Sequence, residues 1–306
     1  MSTAETYQRL RPLMFSIAYR MLGSVSEAED IVQEAFLRYH AAQGRPTGID
    51  SPKAYLSAVT TRLCIDHLRS ARARRETYPG EWLPEPLLTE EPADPAGHAE
   101  QADSLSMAFL LLLERLSPVE RAAFLLHDVF GYGYEEIARI VGKSQDNCRQ
   151  LALRARRHVA EHKPRFEASR SKREELAARF FSAVGDGNVD DLVSMLAADA
   201  AVYGDGGGVS PSWPRPIAGR DRVVRLMAGL GRQIRQLGIV TQRVEINGQP
   251  GAMFLDPDGR LINVFVLDIA DGQVQTVRSV INPDKLHHLG PLADMPDLRR
   301  QLHAPD

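Results

Sequence analysis

The sequence predicts a multidomain chain: two all-α domains followed by a C-terminal α+β domain with an antiparallel sheet. Three observations predict it. Residues 1–75 and 105–165 carry capping boxes and apolar residues at helical spacing. The stretch between them, 76–104, is acidic and too rich in proline to hold a long helix. After residue 170, amphipathic helices give way to short strand-like runs separated by Asn-Gly and Asp-Gly turn signals.

Composition sets the outer bounds. A length of 306 residues suits two or three domains. Charged residues make up 25% and hydrophobic residues 43%, which excludes a disordered or collagen-like chain. Cys64 and Cys148 are too few for a disulfide framework and fit a reducing compartment. The start of the chain is polar, and no apolar run approaches the roughly 20 residues that span a bilayer. The expectation is a cytoplasmic protein with no membrane partner. The net charge of -3, read as one number, argues mildly against nucleic acid. Divided along the chain it is +4 over residues 1–75, -8 over 76–117, +3 over 118–170 and -2 over 171–306.

In the first segment, SEAEDIVQEAFLRYH begins with Ser26 as expected N-cap and Glu29 as its capping-box partner. Ala28, Ile31, Val32, Ala35, Phe36 and Tyr39 follow at helical spacing. Asp30 and Glu34, four residues apart, make either a solvated acidic face or a docking face for a basic partner. The loop QGRPTGID leads to Ser51, an expected N-cap, and Pro52 at the first helical position. In the helix that follows, Arg62, Arg69 and Arg72 recur with His67 among them. A run of one sign suits either a solvated face or phosphate contact.

The acidic segment contains Pro79, Pro84, Pro86, Pro92 and Pro95, so it reads as an extended spacer. Trp82, Leu83, Leu87 and Leu88 are out of place in a pure spacer, and WLPEPL is expected to dock on something.

The third segment opens with a second capping box, Ser117 with Glu120, and Pro118 in the first turn. Gly131 and Gly133 end that helix; YEEIARIVG is a short second one that stops at Gly142; Ser144 caps a third. The third helix turns Cys148, Leu151, Ala152, Ala155 and Val159 inward, with Cys148 a small buried hydrophobe. It offers Gln145, Asn147, Arg149 and Gln150 outward, then Arg154. This is a helix-turn-helix layout, in which such side chains reach base edges and later arginines hold phosphates.

AYRMLGSVSEAEDIVQEAFLRYH and SPKAYLSAVTTRLCIDHLRSARARR together resemble region 2 of an extracytoplasmic-function sigma factor, and LSPVERAAFLLHDVFGYGYEEIARIVGKSQDNCRQLALRARRHV resembles region 4. The resemblance covers about the first half of the chain. It implies a bacterial initiation factor that binds core RNA polymerase and promoter DNA. Asp30 and Glu34 then match the face that docks on the clamp coiled coil of the polymerase. The loop from Gln43 to Ser51 matches the element that captures a flipped base of the -10 element. Asp50, Lys53, Arg62, His67, Arg69 and Arg72 match the -10 contacts. Ser144, Gln145, Asn147, Arg149, Gln150 and Arg154 match the reader of the -35 element. The acidic segment matches the part that threads the polymerase's RNA path, where Glu81, Glu85, Glu90 and Glu91 would mimic a polyanion.

In the last 136 residues, two helical stretches, a strand and a further helix precede four strands, GIVTQRVEIN, GAMFLD, RLINVFVLDIA and QVQTVRSVIN. Their turns fall at Asn247-Gly248, Pro257-Asp258-Gly259 and Asp271-Gly272. The order resembles the SnoaL-like branch of the cone-shaped NTF2-like fold, which implies a curved antiparallel sheet around a pocket. WLPEP, DGGG at Asp205, Gly206, Gly207 and Gly208, and NPDKL at Asn282, Pro283, Asp284 and Lys285 resemble the sigma subgroup with such a domain fused at its C-terminus. Where that subgroup often has Lys after DGGG, this chain has Val209.

Asp205 beside three glycines reads either as a base in a pocket or as a turn cap. No acid–base pair stands out, so the expected chain is not an enzyme and needs no cofactor. His287 and His288 lack partners for a metal site. The reading is therefore a sigma factor regulated in cis, with Trp82, Pro84, Asp205–Gly208 and Asn282–Lys285 forming the contact between the C-terminal and sigma domains. A small-molecule ligand in the C-terminal pocket would bias that contact. The competing readings are an isomerase- or cyclase-like enzyme fused to a DNA-binding module and a one-component regulator that binds operator DNA alone.

Overall fold

The computed structural model describes residues 3–43, 49–89, 103–162, 169–213 and 215–303. The chain forms two compact units, Met1–Thr77 with Phe109–Lys163 and Tyr78–Ala108 with Pro164–Asp306. This grouping differs from the expected boundaries. Both helical segments share one unit, and the proline-rich segment belongs with the C-terminal residues.

The helical unit starts with α1 (Thr3–Leu22), α2 (Val25–Gln43) and α3 (Pro52–Glu76). They bury Met14, Ile17, Tyr19, Leu22, Val32, Ala35, Leu56 and Cys64 at or near zero exposure. The N-cap of α2 is Ser24, not Ser26. Ser24 Oγ accepts from Glu27 N at 3.1 Å, so the helix begins two residues earlier than the sequence signal. Glu29 is thereby freed from capping and pairs with Arg11 at 2.5 Å. Ser51 does cap α3, accepting from Ala54 N at 3.3 Å.

The unit continues with α4 (Met107–Leu113), α5 (Pro118–Phe124) running into a π-helical turn (Leu125–Val129), α6 (Tyr134–Val141) and α7 (Gln145–His162). The Ser117–Glu120 capping box is closed in both directions. Gly142 ends α6 in a left-handed conformation at φ 66°. Ser144 caps α7 by accepting from Asn147 N at 3.2 Å. Cys148 is fully buried, and burial pushes both its thiol and that of Cys64 up from the usual range. Neither is a reactive thiolate.

Helices of the two halves are joined by polar contacts. Ser57 and Tyr132 share a hydrogen bond of 2.6 Å between hydroxyls. Arg62 donates from Nε to the Ile140 carbonyl and from Nη2 to the Arg139 carbonyl, each at 2.7 Å. Arg121 is 3% exposed and donates to the Met21 carbonyl at 2.5 Å and to Glu114 at 2.8 Å.

The second unit contains α8 (Arg170–Asp186), α9 (Val189–Met195), β1 (Leu196–Asp205), β2 (Ile217–Ala218), α10 (Arg220–Gln236), β3 (Val240–Ile246), β4 (Gln249–Leu255), β5 (Leu261–Ala270), β6 (Gln273–Val280) and α11 (Met295–His303). The strand order is β2-β1-β6-β5-β4-β3. Asn247-Gly248 and Asp271-Gly272 have positive φ at both residues, as two-residue hairpin turns require. The sheet is not wholly antiparallel as expected: β1 runs parallel to β6, with Ala201 opposite Thr276 and Asp205 opposite Val280. After β1 the chain crosses through α10 to the far edge, and the four-strand meander returns its last strand beside β1 in the same direction. Phe180, Phe181, Val184, Met195, Met227, Phe254, Phe265 and Val277 belong to the core of this unit.

Candidate functional site

The parallel pairing brings the end of β1 beside the chain leaving β6. Asp205 closes β1, and its carbonyl accepts from Ile281 N at 2.9 Å and Asn282 N at 3.0 Å. DGGG and NPDKL therefore meet, although 73 residues of chain separate them. The Asp205 side chain is completely buried and accepts four hydrogen bonds. Tyr78 Oη at 2.5 Å and Gly207 N at 3.1 Å donate to Oδ1; Leu83 N at 2.8 Å and Lys285 Nζ at 2.7 Å donate to Oδ2.

Lys285 is 7% exposed, so its charge needs a partner in the protein. It also donates to the Leu83 carbonyl at 2.5 Å and lies over the rings of Trp82 at 4.4 Å and Tyr78 at 4.9 Å. Asn282 donates from Nδ2 to Tyr78 Oη at 2.9 Å and holds its own turn by accepting from Asp284 N at 3.1 Å. Burial and the neighbouring Asp205 carboxylate push the Tyr78 phenol well up, so it stays a donor. Residues 78–83 are thus gripped by one buried ion pair, with Pro84 buried beside it.

The glycines have a steric role here. At Gly207, φ is 62° and an added Cβ would lie 2.4 Å from Asn282; at Gly208, φ is 75° and Cβ would lie 2.6 Å from Pro79. Val209, at the position where the resemblance leads one to expect Lys, is 72% exposed, and the carboxylate takes its ammonium from Lys285.

Beyond the ion pair the segment runs along the edge of the sheet. Leu88 forms an antiparallel bridge to Ile246, and Thr89 N donates to the Glu245 carbonyl at 3.1 Å. Asn247 accepts from Leu87 N at 3.0 Å and donates to the Leu105 carbonyl at 2.9 Å. His288 Nε2 is 2.7 Å from the Pro86 carbonyl. The segment expected to thread a channel is bound along its described length. Glu85 is 6% exposed; Glu90 and Glu91 lie outside the described residues. Tyr78 is a member that the sequence did not single out, and His288 was weighed only as a metal ligand. Asn247 carried a signal only as a turn residue.

The residues expected to face DNA are on the helical unit. On α7, Gln145, Asn147, Arg149 and Gln150 are exposed, with Ser144 just before them. Arg149 contacts Asp146 at 2.9 Å and lies 5.6 Å from the Tyr134 ring centre; Arg154 is 3.4 Å from Glu120. The -10 candidates are less uniform. Asp50 and Arg69 are exposed, Arg69 beside Asp66 at 3.2 Å. Lys53 lies over Tyr132, His67 Nε2 is 3.0 Å from Glu27, and Arg62 is committed to the carbonyls at the end of α6. The Arg72 side chain and residues 44–48 of the expected base-capturing loop are outside the described residues.

On α2, Asp30 is exposed and Glu34 pairs with Arg38 at 2.7 Å, which relieves the like-charge contact. Leu37 stands on the same face, 65% exposed, and sequence reading passed over it.

The C-terminal unit also has an apolar cavity of about 460 Å³ between α10, the sheet and α11. Trp213, Leu226, Ile234, Phe254, Phe265 and Met295 are among its lining, which contains no Asp, Glu or His. Asp205 is not in it. With all four of its bonds made, Asp205 acts as a fastener and not as a pocket base. Among the described residues, no cluster of three metal-ligating side chains occurs and no helix is long and apolar enough to cross a membrane.

The Sigma-70 region 2 model matches residues 6–74, and the Sigma-70 region 4 model matches residues 106–159. The ECF RNA polymerase sigma factor SigJ of Mycobacterium tuberculosis is 37% identical over 288 residues, 91% of each chain. The chain belongs to the ECF RNA polymerase sigma factors. The probable ECF sigma factor SigI of the same species is 33% identical over 282 residues, covering 91% of this chain and 93% of its own. The crystal structure of M. tuberculosis SigJ superposes with a TM-score of 0.73 at 34% identity, covering 95% of this chain and all of that one. The C-terminal α+β domain is therefore part of the shared architecture. Sigma factors are partners of core RNA polymerase and promoter DNA and are not enzymes, so the reading as an isomerase with a DNA-binding appendage is not favoured.

Proposed function

We propose that this ECF sigma factor is regulated in cis, by its C-terminal domain holding residues 78–89, the strap between regions 2 and 4. The buried Asp205–Lys285 pair that closes on Tyr78, Trp82 and Leu83 carries the reading. The same residues cannot lie against β3 and thread a polymerase channel at once. Binding by the domain and binding by polymerase then bias one equilibrium of the strap.

In this reading Asp30 and Glu34, with Leu37 beside them, dock on the polymerase. Asp50, Lys53, Arg62, His67, Arg69 and Arg72 serve the -10 element. Ser144, Gln145, Asn147, Arg149, Gln150 and Arg154 serve the -35 element. Arg62 reaches DNA only after leaving the α6 carbonyls, so promoter binding separates the two regions. A small apolar molecule in the 460 Å³ cavity is the ligand that would shift the balance, because α11, which follows NPDKL, supplies part of its lining.

Run-off transcription with core polymerase tests the reading. A chain cut near residue 168 is expected to initiate at the same promoters, with output changed at least threefold. Unchanged output would remove the basis for cis regulation.

A further inference from the structure

A second cavity of the C-terminal unit, about 570 Å³, lies between the first half of α8, β3 and the start of β4, with Thr89 on its wall. Three arginines line it: Arg170, Arg173 and Arg243. Its two carboxylates are already engaged. Arg170 is 2.6 Å from Glu174 and 3.2 Å from Glu245, and Glu245 also accepts from Thr89 Oγ1 at 2.8 Å. Arg173 and Arg243 have no carboxylate within ion-pair distance among the described residues.

Arg173 is the informative member. It is 8% exposed, its Nη1 donates to Gln249 Oε1 at 3.1 Å, and its Nε has no partner. Gln249 is fully buried and its own Nε2 is unpaired as well. A guanidinium removed from water without a counter-charge is costly, and buried donors are almost always satisfied. Neither Gln249 nor a neighbouring backbone group can supply the negative charge.

We infer that this cavity binds a small oxyanion, the phosphate or carboxylate group of a metabolite, with Arg173 as its buried anchor and Arg243 as its rim contact. Arg173 and Arg243 belong to α8 and β3, not to the strap, which contributes only Thr89 to the wall.

Calorimetric titration of the full-length chain with inorganic phosphate and, separately, with acetate distinguishes the two chemistries. Saturable one-to-one binding of one probe is expected, weakened about tenfold or more by Arg173→Gln and several-fold by the exposed Arg243→Gln. Lys172→Gln, which removes an exposed cation outside the lining, should leave it unchanged. Absence of saturable binding for both probes would overturn the inference. So would equal affinity in the wild type and both arginine variants, which would mark an adventitious ion only. Because Arg243 is exposed, its variant keeps the test valid if Arg173→Gln does not fold.

Discussion

Asp205→Ala is expected to destabilise the C-terminal unit by about 3–5 kcal/mol, the cost of breaking a buried ion pair from one side. The size follows from what is left behind. Lys285 would keep its charge at 7% exposure, and Tyr78 Oη, Leu83 N and Gly207 N would each lose their acceptor. The double variant Asp205→Asn with Lys285→Met should recover much of the loss, because removing both charges also removes their desolvation cost. Urea denaturation measures the stabilities. Limited proteolysis between residues 78 and 89 reports the strap, which should become cleavable in Asp205→Ala and less so in the double variant. Equal cleavage of Asp205→Ala and wild type would show that the strap is held by its β3-edge bonds alone.

Arg121→Met is expected to cost the helical unit about 3 kcal/mol. Arg121 is 3% exposed and ties the last turn of α1, through the Met21 carbonyl, to α5. Its carboxylate partner Glu114 is 22% exposed, so the effect belongs at the low end of the range for a broken buried pair. Methionine retains most of the packing volume, so the loss measures the polar contacts and not a cavity. A double-mutant cycle with Glu114→Gln should return a coupling of about 1 kcal/mol or more for that pair. A loss below about 1 kcal/mol would mean that the Arg121 contacts add little to the packing of α1 against α5.

The helical half was largely legible because its signals are local. The Ser117–Glu120 box, the Gly142 stop, the Ser144 cap and the exposed Gln145–Gln150 face are each fixed within one or two turns of chain. The error at α2 was local too: SVS offers two serines, and only the fold decides that Ser24 points at Glu27 N. Contacts across the chain were not legible. Arg62 has the spacing of a phosphate-binding residue, and nothing near it in sequence announces the carbonyls of Arg139 and Ile140. Asp205 was ambiguous between base and cap because its partners Tyr78, Leu83 and Lys285 come from two distant segments. The parallel pairing of β1 with β6 that unites them leaves no mark in alternation, which is the same for either strand direction. The misplaced apolar residues Trp82, Leu83, Leu87 and Leu88 did signal that the strap docks, but not its bed.

In the proposed function the C-terminal domain acts on the sigma regions through the strap. Run-off transcription with core polymerase, comparing the full-length chain, the Asp205→Asn variant and the chain cut near residue 168, decides whether it does. Asp205→Asn should move the output in the same direction as removal of the domain and by at least half as much, with the promoter preference unchanged. A variant whose strap is released, as shown by cleavage at residues 78–89, but whose output equals that of the wild type would contradict it.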